Sequence, residues 1–209
     1  TKFKLTELQA LFRQRVFERL QLMVGPYFFH YSNKYSHNTD KILGGPSFHK
    51  DSANLYTKKN YLGSKLAMYF DNTNNEVFPT RGVHWENELV SVAGITDSSN
   101  AFTKISSDMT IYASLSDPAK LIGVVSMGGS RIFNRSFEFF QAVAIGNNRL
   151  HGFRANRYLG KSTLYGSMEL RYRLFTLKSY LIPGPIGLTG FFDIGRVWLD
   201  GEESKRWHT

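Results

Sequence analysis

Cysteine is absent from the 209 residues, which excludes disulfide staples and thiolate metal centres and removes thiol usage as a guide to compartment. No apolar run approaches the roughly 18 to 20 residues of a membrane-crossing helix. The N-terminal stretch TKFKLTELQA also lacks the charged, apolar and small-residue zones of a signal peptide. The expectation is either a cytosolic chain or one whose beginning lies elsewhere. Amphipathic helical periodicity is missing too. So are a glycine-rich phosphate cradle, an HExxH pair, an EF-hand loop and a nucleophile elbow: Ser130 in MGGSRI lacks the second flanking glycine that an elbow needs. Acidic residues are in deficit, 17 against 26 basic ones, giving a net charge of +9.

What the chain does have is alternation. Across 105–115, Ile105, Met109, Ile111, Ala113 and Leu115 share one parity while Lys104, Ser106, Asp108, Thr110 and Tyr112 share the other, the period-2 signature of a strand with one oily face. The pattern returns at 163–175, where Leu164, Met168, Leu170, Tyr172 and Leu174 oppose Glu169, Arg171 and Arg173. It also returns at 82–92 and 62–71, and more weakly near 2–15, 17–31, 120–132 and 185–198. This predicts about eight strands of roughly 11 to 14 residues, longer than the soluble mode of about 5 to 6 and long enough to cross a bilayer when tilted. The connections alternate in length: tight at 15–17, long at 32–60, then 72–81, an intermediate one at 94–101, short at 116–120, long at 133–162 and short at 177–184. Short turns on one side and long loops on the other are the habit of outer-membrane barrels. Tyr27, Phe28, Phe29, Tyr31, Tyr61, Tyr69 and Phe70 lie near strand ends, where interfacial girdles are expected. The competing reading is a soluble β-rich core with aromatic packing.

Four motifs then occur in order: YFDNTNNEVFPTRG at 69–82, LHGF at 150–153, ELR at 169–171 and FFDIG at 191–195. Together they resemble the C-terminal barrel of the bacterial surface antigen superfamily, which contains BamA- and TamA-type barrels and two-partner secretion transporters. The resemblance implies an all-β fold, an antiparallel transmembrane β-barrel in the bacterial outer membrane, with about eight strands here of a sixteen-stranded barrel. Residues 1–209 are then part of one barrel domain, its middle strands, with N-terminal modules and closing strands absent. A closed eight-stranded barrel is the rival count.

In that family the loop bearing the LHGF motif folds into the lumen, where its arginine reaches the wall. The corresponding loop motif is Leu150, His151, Gly152, Phe153 and Arg154, and the expected wall partners are Glu169, Arg171, Phe191, Asp193 and Gly195. Asp193 shares its parity with Thr189 and Phe191, against Leu188, Phe192 and Ile194, and so is expected to face the lumen. A guanidinium in a partly dry lumen needs carboxylate or carbonyl acceptors. The sequence departs from the family at His151, which stands where an arginine is usual. Either Arg154 or His151 is therefore expected to pair with Asp193 or Glu169, with Phe153 against Phe191. The bland alternative for each basic residue is a solvated loop charge. The apolar run EFFQAVAIGNN after Asn134 suits packing into the lumen or against a partner, or the outer end of a strand.

The function implied is non-catalytic insertion or translocation of proteins at the outer membrane, with outer-membrane lipids, unfolded outer-membrane or secreted protein substrates and accessory lipoproteins as partners. The alternative is a barrel that anchors or exports a fused enzyme, a phosphoesterase or patatin-like lipase. No cofactor and no metal site is expected: His30, His37, Asp40, His49 and Asp51 gather around one long loop without ligand-pair spacing. Nucleic acid is not expected either. Lys2, Lys4, Arg13, Arg15, Lys58, Lys59, Arg131, Arg135, Arg171 and Arg173 are spread without a recognised module, and a positive lumen or rims meeting acidic head groups explain them as well.

Overall fold

The computed structural model describes residues 3–33, 56–97, 99–116, 118–135, 137–145, 150–151, 158–178, 180, 184–201 and 206–209. The strands are β1 (Phe3–Gln9), β2 (Phe12–Phe17), β3 (Leu20–Asn33), β4 (Lys59–Asp71), β5 (Gly82–Gly94), β6 (Phe102–Ser114), β7 (Leu121–Ile132), β8 (Val143–Ala144), β9 (Leu159–Gly160), β10 (Ser162–Leu177) and β11 (Gly184–Trp198). One antiparallel sheet runs β1-β3-β4-β5-β6-β7-β10-β11, with β2 also on β3, while β8 and β9 form a small separate ladder. β1 and β2 are two halves of one strand. Gln9 faces Tyr27 and Phe12 faces Val24 without an inserted residue. Opposite their junction lies Pro26, which has no N–H to donate, so only the Ala10 N–H to Pro26 carbonyl bond survives there, at 3.3 Å. Counted this way the sheet has eight long strands, the number read from alternation.

The first turn lies at Glu18–Arg19, between the paired residues Phe17 and Leu20, and not at 15–17. The connections at 18–19, 72–81, 115–120 and 178–183 fall at one end of the sheet and those at 34–58, 95–101 and 133–161 at the other; the two longest are both at the second end, while 95–101 there is shorter than 72–81 at the first. The ten-residue connection at 72–81 is built by its own side chains. Asn74 Oδ1 accepts from the Thr80 and Arg81 N–H groups, both at 3.0 Å, and Asn75 Oδ1 accepts from Val77 and Phe78 at 2.9 and 2.8 Å. It ends on Gly82, whose φ of 122° only glycine adopts readily. The family-like NTNNEVFPTR stretch is thus a self-satisfied turn that requires no covering partner.

Pairing carries each strand's parity across the sheet. Leu22, Leu66, Trp85, Ile105, Met127, Leu164, Met168 and Phe192 all fall on one face, and all are exposed. The opposite face carries Lys65, Glu86, Glu88, Lys104, Asp108, Glu169, Arg171 and Asp193. A sheet whose oily face is the uncovered one suits lipid outside and a polar lumen inside. Among the described residues no helix is long and apolar enough to cross a membrane. The sheet is open, with β1/β2 and β11 at its two ends. His208 continues it beyond β11, exchanging both backbone hydrogen bonds with Gly195 at 2.9 and 2.8 Å.

The aromatic girdle expected from strand ends is corrected by register. Only Phe28 and Phe70 of the seven share the lipid-facing parity. Tyr27, Phe29, Tyr31 and Tyr61 are buried on the lumenal face with Val90, Val92 and Phe102, and Phe139 and Phe140 pack onto them. Strand-end position fits either use of an aromatic ring. Coverage by another part of the chain decides between them.

Candidate functional site

That covering segment is the connection between β7 and β10. From Asn134, whose Oδ1 accepts the Thr103 N–H at 2.7 Å, the chain enters the lumen and makes one turn of 3-10 helix at Phe139–Gln141. Two aromatic side chains in succession there meet a socket of aromatic residues from several strands. Phe140 stacks on Tyr31 with ring centroids 4.0 Å apart, and Phe139 stands edge-on to Phe3 and Tyr31 at 5.5 and 5.9 Å. Beside them the fully buried Lys59 of β4 donates through Nζ to Glu138 Oε1 at 2.5 Å. A buried ammonium cannot stay charged cheaply without such a partner, so the ion pair ties this arm of the connection to the β3–β6 wall.

The other arm is tied to β10 and β11. Val143–Ala144 pairs with Leu159–Gly160, which brings Ile145 and Leu150 into a buried cluster with Tyr165, flanked by Tyr158 and Val197. Gly195 is the floor of this contact: a Cβ there would lie 2.7 Å from Ile145 Cγ2, closer than packed atoms approach. Next in the chain, the His151 N–H donates to Asp193 Oδ2 at 2.6 Å. The His151 ring lies over Phe191, centroids 4.6 Å apart and tilted by 31°. Its Nε2 is 3.8 Å from Glu169 Oε1, a distance at which only a protonated ring makes an ion pair. Glu169 Oε2 is meanwhile held in a fork by Arg171 of the same strand, through Nε at 2.8 Å and a terminal nitrogen at 2.7 Å.

Of the residues singled out from sequence, Leu150, His151, Glu169, Arg171, Phe191, Asp193 and Gly195 therefore come together at one place on the lumenal wall. Gly152, Phe153 and Arg154 lie outside the described residues. Of the pairings expected of Arg154 or His151 with Asp193 or Glu169, the described residues show the His151 side chain near Glu169 and the His151 backbone on Asp193. His30 hydrogen-bonds Asn60 Oδ1 through Nδ1 at 2.7 Å. His37, Asp40, His49 and Asp51 lie outside the described residues, and no group of three or more metal-type ligands occurs among those described.

Two features went unread in the sequence. Lys59 counted there as one of many scattered cations, although its shared parity with Tyr61 placed it on the socket face. The second is Tyr165, whose hydroxyl donates to Asp108 two strands away across Gly128. The arrangement fastens two sectors of wall to one connection.

A search of curated proteins finds no significant match. Among solved structures, BamA from Haemophilus ducreyi lacking POTRA domains 1–3 superposes with a TM-score of 0.68 at 15% identity, over 94% of this chain and 42% of that one. The chain thus spans less than half the length of that protein, and the likeness is one of fold. The Omp85 superfamily domain matches residues 18–209. With the lumenal connection, the oily outer face and the motif order in place, that match over nearly the whole chain establishes that it belongs to the Omp85 superfamily of bacterial outer-membrane β-barrel proteins.

Proposed function

We propose that residues 1–209 are part of one barrel domain that acts in the insertion or translocation of proteins at the bacterial outer membrane, without catalysis. The observation that supports this reading most is the connection at 133–161, fastened to the β3–β6 wall by Lys59–Glu138 and the aromatic socket and to β10–β11 by His151–Asp193. A barrel that must change shape at its edges to pass or release a client strand needs the intervening wall held. A connection anchored at both sectors does that. Clients are unfolded outer-membrane or secreted proteins, whose strands add to an exposed sheet edge by backbone pairing. Accessory lipoproteins on the short-turn side are further partners.

Depletion of the protein in its own cells tests the reading. A general fall in folded outer-membrane proteins, with unfolded precursors accumulating in the periplasm, is the expected result. If the other outer-membrane proteins persist and only one exported protein or enzyme activity disappears, the barrel serves as a dedicated transporter or enzyme anchor instead.

A further inference from the structure

Besides Lys4, which register sets opposite Ser32 at the other end of the sheet, two strand cations stand on the wrong face for the lumen. Register sets Arg131 opposite Ser162 and Arg196 opposite Leu164, which gives both the parity of the oily, lipid-facing residues. Both lie near the long-loop ends of their strands. Among the described residues neither is within ion-pair reach of a carboxylate. Their guanidinium groups lie instead over aromatic rings, Arg131 5.9 Å from Phe133, and Arg196 4.9 Å from Trp198 and 5.9 Å from Trp207. The Nε of Arg196 is buried without a hydrogen-bond acceptor.

An open groove of about 600 Å³ lies beside Arg131, floored by Ile105, Gly129 and Leu164 and walled by Ser162 and Trp198. No side chain can fill its floor, since a Cβ on Gly129 would come 2.6 Å from the Thr163 carbonyl oxygen. The carboxylate at its margin, Asp200, is engaged by Lys161.

We propose that this groove binds the phosphate-bearing head group of an outer-leaflet lipid, with Arg131, which lines it, as its cation, Arg196 beside it over the ring of the lining Trp198, and the acyl chains along the apolar outer face. Arginine does not lose its proton in proteins, so a guanidinium on a lipid-facing wall needs an anion or water. The fork of N–H donors matches a phosphate. Aromatic rings at the same level are the usual marker of the head-group region. The floor continues into the strip formed by Ile105, Met127, Leu164 and Met168, which suits a lipid tail and would not suit a hydrophilic anion alone. The proposal needs only the barrel and its lipid face, so it stands or falls apart from the protein-insertion role.

The test uses the intact protein in phosphatidylcholine vesicles doped with either diphosphorylated lipid A or its dephosphorylated form, followed by detergent extraction and native mass spectrometry of retained lipid. Wild type is expected to retain the phosphorylated form roughly tenfold better than the dephosphorylated one, and R131Q/R196Q to lose that preference while R131K/R196K keeps part of it. Heat-modifiable gel mobility checks that each variant folds. Equal retention of the two lipids by wild type overturns the proposal whatever the variants do. So does an undiminished preference in folded R131Q/R196Q.

Discussion

Asp193 holds the long connection through the peptide N–H of His151, a donor that every residue except proline supplies. This hydrogen bond therefore does not depend on which side chain stands at position 151. His151→Ala is accordingly expected to change stability by no more than about 0.5 kcal/mol, since its half-exposed ring adds only the packing on Phe191 and a 3.8 Å approach to Glu169. Asp193→Ala removes the acceptor and costs about 1.5 to 3 kcal/mol. His151→Pro removes the donor and is expected to resemble Asp193→Ala. Trypsin cleavage after Arg154 or Arg157 in the folded barrel reads release of the loop, and urea unfolding in vesicles reads the energy. If His151→Ala releases the loop as readily as Asp193→Ala, the side chain and not the backbone is the holding group. At this scale the sequence was informative about the wall, because parity alone put Asp193, Glu169 and Phe191 on one face. It was silent about which atom of residue 151 does the work, because backbone donors leave no trace in residue identity.

The strands were legible because a lipid face outside and a polar lumen inside impose a strict period of two, which β4, β5, β6 and β10 display along most of their length. What covers the lumenal face was not legible, since alternation says which residues share a face and nothing about what lies on it. Phe139 and Phe140 fitted a strand end as well as a lumenal plug. Lys59 likewise gave no sign of its partner, which is 79 residues away. The pair is asymmetric: Lys59 is fully buried, while the Glu138 side chain retains a quarter of its exposure. Glu138→Leu therefore leaves a stranded buried ammonium, at a cost of about 3 to 5 kcal/mol. Lys59→Met leaves a carboxylate that can turn to water and is expected to cost less. The double variant Lys59→Met/Glu138→Leu is expected to recover most of the loss of Glu138→Leu, because the charge it stranded is gone. Urea unfolding of all four proteins closes the cycle. Additive losses, with the double variant the least stable, would mean that the ion pair does not hold the connection.

At the scale of the whole molecule, the fold is shared with BamA at 15% identity, as expected if what a barrel must keep is the alternation of faces and not the residues themselves. Closure and total strand number could not be read the same way, since neither follows from the period of a strand. The lipid-facing assignment does make a prediction that depends on depth alone. Leu66 lies midway along β4, between Val24 and Leu89 on the outward face, whereas Ser32 has the same parity at the long-loop end of β3. An arginine at the bilayer midplane of a barrel costs about 2 to 4 kcal/mol and near the interface about 0 to 1. Leu66→Arg is expected to fall in the first range and Ser32→Arg in the second, both read by urea unfolding in phosphatidylcholine vesicles. In detergent micelles, where the apolar layer deforms around a charge and water reaches it, the gap between the two is expected to narrow. Equal penalties at the two positions in vesicles would mean that the exposed face meets protein or water rather than a slab of hydrocarbon. A difference that is present in vesicles and narrows in micelles comes from the bilayer, because the substitutions themselves are the same in both and the two residues share a face, a sheet and adjacent strands.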